Sequence, residues 1–162
     1  MHKSTVRFIA LAAGAIACAT ACADPISGVA QDDPPSPEQV TELFDTWNDT
    51  LASGDPEAVA DLYAPDAVLL PTVSNVVRTD RAGIVDYFTG FLPTKPSAVI
   101  EQSTVNVLDS DNAIDTGVYR ITLSKSGVPE VIDARYTFVY EKRDGEWLIV
   151  NHHSSEMPES ES

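Results

Sequence analysis

The chain predicts an α+β domain in which a curved antiparallel sheet packs on helices. Three observations carry this reading. Helical patterns with one apolar face come early, between residues 37 and 91. Four long strand patterns then follow between residues 98 and 154. Short turns of hairpin chemistry join those strands, with no crossover helix between them. A chain of 162 residues has room for one such domain and its appendages.

The first element is a leader. Lys3 and Arg7 make a basic start, Val6 to Ala17 is apolar apart from Arg7, and Ala21-Cys22-Ala23 supplies the small residues that a signal peptidase takes. Residues 1–23 therefore read as an export signal, and the mature protein as secreted or attached to the cell envelope. The apolar run is too short to span a bilayer, so no transmembrane segment is expected in the mature protein. Both cysteines, Cys18 and Cys22, lie in this segment. Cleavage after Ala23 leaves a mature domain without cysteine. Alternatively Cys22 or Cys18, each preceded by a small residue, carries a lipid anchor, although both lack the leucine usual three residues earlier. Neither has a ligand-type neighbour that would suggest metal or redox chemistry. Residues 24–36, rich in Asp, Pro, Gly and Ser, read as a flexible linker, residues 37–158 as the domain, and residues 159–162 as an acidic tail.

Ser36 can cap a helix whose first position is Pro37, where a missing N–H costs nothing. Val40, Leu43, Phe44, Trp47 and Leu51 follow at helical spacing. Gly54-Asp55-Pro56 stops this helix, and Pro56 opens a second that runs to about Tyr63, with Ala58, Val59, Leu62 and Tyr63 inward. Ala64-Pro65-Asp66 reads as a turn, Val68-Leu69-Leu70 as a short strand ended by Pro71, and Asn75 to Arg78 as its hairpin partner. Thr79 or Asp80 caps a third helix, with Ile84, Val85, Tyr87, Phe88 and Phe91 as its apolar positions, closed by Pro93 and Pro96. Strands are expected at about residues 98–108, 112–124, 130–142 and 146–154. Asp109-Ser110-Asp111-Asn112, Ser126-Gly127 and Asp144-Gly145 supply the turns between them. The expected order is α-α-β-β-α-β-β-β-β.

Formal charge is −15, and it becomes −17 without the leader's Lys3 and Arg7, with 8 basic against 25 acidic residues. Such a surface repels nucleic acid and anionic headgroups over a Debye length, so nucleic-acid binding is excluded as a role.

Gly54-Asp55-Pro56-Glu57-Ala58-Val59 leading to Leu62-Tyr63-Ala64-Pro65-Asp66-Ala67-Val68, then Arg120-Ile121-Thr122, then Asp144-Gly145-Glu146-Trp147 through His153-Ser154-Ser155, resembles the nuclear-transport-factor-2-like superfamily. Within it the chain is most similar to the association domain of calcium/calmodulin-dependent protein kinase II and its free-standing bacterial SgcJ/EcaC-type (SnoaL-like) relatives. The similarity spans about residues 37–158. It implies a cone-shaped fold with a pocket between helices and sheet, and an outer sheet face available for a homodimer. In the kinase association domain three strand arginines converge in the pocket. The matching positions here hold Arg120, Phe138 and Ser154, which weakens an anion-selective pocket. The superfamily also includes isomerases, cyclases and dehydratases, so the fold by itself does not assign a reaction.

Successive strand residues point to opposite faces, so His152 and His153 cannot both enter one pocket without a bulge. If Arg120 and Phe138 face inward, the register that the resemblance suggests places His152 and Ser154 with them and His153 outside. Arg120, Tyr136, Phe138, His152, Ser154 and Tyr63 are then the candidate ligand-pocket residues, with Trp47, Tyr87 and Phe91 lining the pocket or filling the core. His152, near Tyr136 or Tyr63, is the candidate acid/base. Arg135 and Asp133 fall on the opposite face and suit an intersubunit or cross-strand ion pair. Adjacent histidines lack the spacing that aims two imidazoles at one ion, and the Asp109 loop lacks the glycine and glutamate of a calcium site, so no metal and no cofactor is expected. Two functions remain. One is an exported small-molecule-binding or oligomerisation module whose pocket takes a small polar organic ligand. The other is an isomerase, cyclase or dehydratase using His152 as acid/base.

Overall fold

The computed structural model describes residues 33–158. The expected leader, most of the linker and the acidic tail lie outside the described residues. Ser36 accepts from the backbone N–H of Gln39 at 3.3 Å while the Gln39 side chain accepts from the Ser36 N–H at 2.8 Å. This reciprocal cap starts α1 (Pro37–Leu51), whose buried stripe is Val40, Phe44, Trp47 and Leu51. Asp55 caps α2 (Pro56–Ala60) through the backbone N–H groups of Glu57 and Ala58.

The second helix is shorter than its pattern suggests, and Tyr63 belongs to β1 (Tyr63–Leu70) instead. The cause is tertiary: the Ile149 N–H donates to the Leu62 carbonyl at 2.9 Å, and Tyr63 pairs with Ile149, which pulls the chain into the sheet. The expected Ala64-Pro65-Asp66 turn is an irregularity within β1, where register slips between Tyr63 and Val68. Pro65 has no N–H to lend to a ladder. The expected Asn75–Arg78 strand is reduced to one antiparallel bridge between Leu69 and Arg78. Asp80, not Thr79, caps α3 (Arg81–Phe91), accepting from the Gly83 N–H at 2.8 Å. A short 3₁₀ turn, Leu92–Thr94, follows.

Four long strands complete the chain: β2 (Ser97–Val107), β3 (Asn112–Lys125), β4 (Val128–Arg143) and β5 (Glu146–Glu156). They form a curved, unclosed five-stranded sheet in the order β1-β5-β4-β3-β2. The sheet is mixed, because β1 runs parallel to β5 while the other pairs are antiparallel. Ser126-Gly127 and Asp144-Gly145 both take positive φ at each central residue, the two-residue turn whose twist suits adjacent strands. Helix α1 packs on β2 and β3, and α3 on β1. Asn48 joins α1 to β2 by accepting from the Ala98 N–H at 2.8 Å. The core between the layers is aromatic, with Phe44, Phe88, Tyr119, Tyr136 and Phe138 almost wholly buried.

Two bulges bend the sheet. Glu101 is the extra residue of β2 against β3, and Val150 is the extra residue of β5 against β4. Next to the first, a Cβ on Gly117 would stand 1.8 Å from the Gln102 carbonyl oxygen, so the close approach of β2 and β3 requires glycine there. Gly117→Ala is expected to cost roughly 1–3 kcal/mol or more, the usual penalty for overpacking. A denaturant unfolding curve checks this, and an unchanged midpoint would mean that the strands separate freely.

Candidate functional site

The site is assembled by the second bulge. Tyr140 pairs with Ile149, but Val139 pairs with Asn151, so the inward parity of β5 switches from odd to even numbers beyond Val150. Phe138 then lies opposite His152, and Tyr136 opposite Ser154. His152 and Ser154 are buried, while His153 is exposed.

The Trp47 indole N–H donates to the Tyr63 hydroxyl at 3.0 Å, and that hydroxyl lies 2.9 Å from His152 Nδ1. Tryptophan can only donate, so the Tyr63 oxygen accepts and its proton is left for Nδ1. That arrangement satisfies the Trp47 N–H, the Tyr63 hydroxyl and His152 Nδ1 and leaves the imidazole proton on Nε2. Phe138 stacks on the His152 ring with centroids 3.9 Å apart, and Trp47 meets it edge-on at 5.3 Å. Burial, helped by the neighbouring His153, lowers the His152 pKa to about 3, so the imidazole is neutral at physiological pH. Its Nε2 is buried and has no partner among the described residues.

His152 and Ser154 line a cavity of about 20 Å3 together with Trp47, Phe88, Tyr119 and Ile121. That is room for about one water molecule. His152 lines it and Tyr63 does not. Tyr119 donates to Ser154 Oγ at 2.5 Å, and Thr72 bonds the same oxygen. Burial pushes the Tyr119 hydroxyl up to about 12 and that of Tyr63 well above its usual value. No ionised group borders this cavity.

Arg120 is not in it. The Ser126-Gly127 turn pairs Lys125 with Val128, which sets Arg120 opposite Asp133 and Phe138 opposite Asp115. Arg120 therefore shares the outer face with Asp133, to which its Nε donates at 2.8 Å, and with Glu101 at 3.2 Å. The inward positions of β3 are Tyr119 and Ile121. The same pairing brings in a residue that the sequence reading missed. Asp115 is wholly buried on the inner face, accepts from Ser103 Oγ at 2.6 Å, and lies 3.2 Å from the Tyr136 hydroxyl at both carboxylate oxygens. Burial raises its pKa despite those donors. Asp115 and His152 both flank Phe138 in one cross-strand row, one on either side. The hairpin arithmetic of Ser126-Gly127 is the signal that could have found Asp115 and excluded Arg120. Among the described residues, no group of three His, Cys, Asp or Glu side chains is placed to hold a metal ion, and no helix is long and apolar enough to cross a membrane.

A family model, calcium/calmodulin dependent protein kinase II association domain, matches residues 36–158. The chain belongs to this family. A crystal structure from Xanthomonas campestris, named for the same association domain, is 58% identical, with 79% of this chain and 96% of that chain covered and a TM-score of 0.74. A Novosphingobium aromaticivorans structure named as a scytalone dehydratase is 16% identical, with coverage of 75% and 83% and a TM-score of 0.66. A Streptomyces avermitilis structure named as a dehydratase of the nuclear-transport-factor-2-like family is 17% identical, with coverage of 75% and 95% and the same TM-score of 0.66. At that identity the last two are likenesses of fold. No protein of curated function matches the chain.

Two predictions follow from the electrostatics of the site. His152 keeps one proton, on Nε2, from pH 8 to pH 4, which nitrogen-15 imidazole spectra can read; an imidazolium signal at pH 5 would refute the buried relay. The unfolded chain, with histidine near 6.5, takes up a proton that the folded site refuses down to about 3, so His152 makes stability fall as pH drops through that window. Asp115 acts in the opposite sense, because its folded pKa is raised above 3.8 and its ionisation at higher pH costs the fold. The melting temperature of Asp115→Asn minus that of the wild type is therefore expected to become more positive between pH 4 and pH 7. A flat or falling difference would show that the carboxyl is not desolvated.

Proposed function

We propose that this chain is an exported association module that assembles with copies of itself through the open face of its sheet and keeps the cavity beneath for a small organic ligand. The observation that carries the reading is that outer face. Helices cover one side of the sheet. On the other, Thr116, Val118, Arg135, Thr137, His153 and Ser155 line a trough of about 480 Å3 over Gly117. Val99 and Val131 are also exposed on this face. A two-sided sheet with β-branched residues on its uncovered side suits a self-complementary contact, and a homodimer is the simplest closed form. Membership of an association-domain family supports the same role. Export to the cell envelope, with or without a lipid on Cys22 or Cys18, rests on the pattern of residues 1–23.

The alternative, an isomerase, cyclase or dehydratase, draws support from Asp115, a buried carboxyl bonded to Tyr136 within an aromatic interior. In that reading His152 does not accept a proton at neutral pH, since its pKa lies near 3. Its contribution would be a hydrogen bond from Nε2, and Asp115 would be the base.

A native mass spectrum of the protein purified from its own envelope tests the association reading. A dimer or larger assembly is expected, with a mass that reports cleavage after Ala23 or a lipidated cysteine. Val118→Arg sets a second cation beside Arg135 on this face, so that two like-charged patches would have to meet in a two-fold contact, and it is expected to weaken assembly by at least about tenfold. Within the protomer the repulsion from Arg135 should lower the variant's melting temperature only slightly, leaving the chain folded. A wild-type monomer at micromolar concentration sinks the reading.

A further inference from the structure

The inference here rests on the cavity of the preceding section and concerns the chemistry of its ligand. We propose that the cavity takes a neutral, apolar ring molecule bearing one hydrogen-bond-accepting oxygen, of the ketone or lactone kind, and that His152 Nε2–H is the donor that recognises it.

Three observations support the assignment. The first is the orphan donor. Nε2 is buried without a partner, and an unpaired buried N–H is a cost that a bound acceptor removes. The Trp47–Tyr63–His152 hydrogen bonds favour the tautomer with the proton there, on a residue that lines the cavity. The second is the absence of charge at the cavity. Arg120 stands outside, bonded to Asp133 and Glu101. Asp115 is held by Ser103 and Tyr136 on the far side of Phe138. A carboxylate entering the inner cavity would be desolvated with no cation to meet it, and the two cations of the adjoining groove, Arg78 and Lys125, are already paired with Asp86 and Glu130, which disfavours an acid.

The third observation is the space. The cavity of about 20 Å3 holds one acceptor atom and not a molecule. Beside it lies a groove of about 370 Å3 along α3 and the Val73 loop, within the usual range for small-ligand sites. Tyr87 and Phe91 line both spaces. Their rings stack on each other at 5.3 Å and 19° and border both spaces. The oxygen of the ligand occupies the inner void, and its ring lies against this aromatic pair in the groove.

Three probes of one shape decide the matter: 1-indanone, indane and indane-1-carboxylate. Each is titrated into the nitrogen-15-labelled protein while the His152 Nε2–H resonance is followed. The ketone is expected to shift that resonance and to bind about tenfold more tightly than indane, the worth of one such hydrogen bond. The carboxylate is expected to bind most weakly. His152→Phe keeps a stacked ring and should make ketone and hydrocarbon equal. Tyr63→Phe keeps the imidazole but frees its proton, and should lower the ketone's advantage without abolishing binding. Tightest binding of the carboxylate, equal binding of ketone and indane by the wild type, or no ketone binding up to its solubility overturns the proposal. A native mass spectrum of the same samples separates this from the association reading. A monomer that binds the ketone defeats the association reading alone, and an assembled protein that ignores the ketone defeats the ligand inference alone.

Discussion

A strand residue can face only one side of its sheet, and in this protein that constraint decides everything about the site. The Ser126-Gly127 turn fixes β3 against β4 with no slack, since Lys125 and Val128 pair directly across it. From that point each inward residue of one strand names its partner on the other: Ile121 with Ile132, Tyr119 with Ala134, Gly117 with Tyr136, Asp115 with Phe138. The Val150 bulge then resets the parity of β5 once. Ile149 still points inward with Tyr140, and His152 and Ser154 point inward with Phe138 and Tyr136. Were the strand regular through Val150, the even positions beyond it would face solvent and the cavity would be lined by Asn151 and His153. The bulge thus decides that His152, and not His153, enters the cavity.

The cavity lining that results is polar but uncharged, and the energetics explain how it is tolerated. A buried hydroxyl or indole N–H without a partner costs free energy of the order of a kcal/mol or more. The relay from Trp47 through Tyr63 to His152 satisfies its donors in sequence and leaves one at the end, where the cavity begins. Neutrality of the imidazole is part of the same balance. Phe138 lies 3.9 Å from the ring and Trp47 meets it from the side, so water is excluded and the charged form is strongly disfavoured. Histidine here is a fixed hydrogen-bond donor, in place of a group poised to exchange protons at neutral pH.

Much of the architecture was legible in local chemistry. Ser36 with Pro37, Asp55 with Pro56, and the three hairpin turns all announce their elements, and the long strands fall within a few residues of expectation. What was not legible is long-range. Tyr63 continues a helical stripe by spacing, and only its pairing with Ile149, 86 positions away, takes it into β1. The parallel joining of β1 to β5 and the collapse of the Asn75–Arg78 strand to one bridge are likewise tertiary outcomes. Asp115 and Arg120 are a different case. Both could have been placed by counting from Ser126-Gly127, and the likeness to a pocket of converging arginines drew attention to the wrong parity.

That parity bears on what kind of pocket this is. Of the three positions that the resemblance pointed to, Phe138 and Ser154 face inward and Arg120 faces out. Arg120 therefore brings no charge to the cavity. Phe138 takes part in the stack that holds His152 neutral, Ser154 joins Tyr119 and Thr72 in a hydroxyl cluster, and Arg120 serves a surface ion-pair network across β2, β3 and β4. Such exposed pairs add little to stability, so the arginine's place there does not compensate the pocket for its absence. A buried guanidinium would need a carboxylate partner, and the one carboxylate buried among the described residues, Asp115, is occupied by Ser103 and Tyr136. The remaining polar groups at the cavity donate hydrogen bonds without carrying charge, and they form one consistent set.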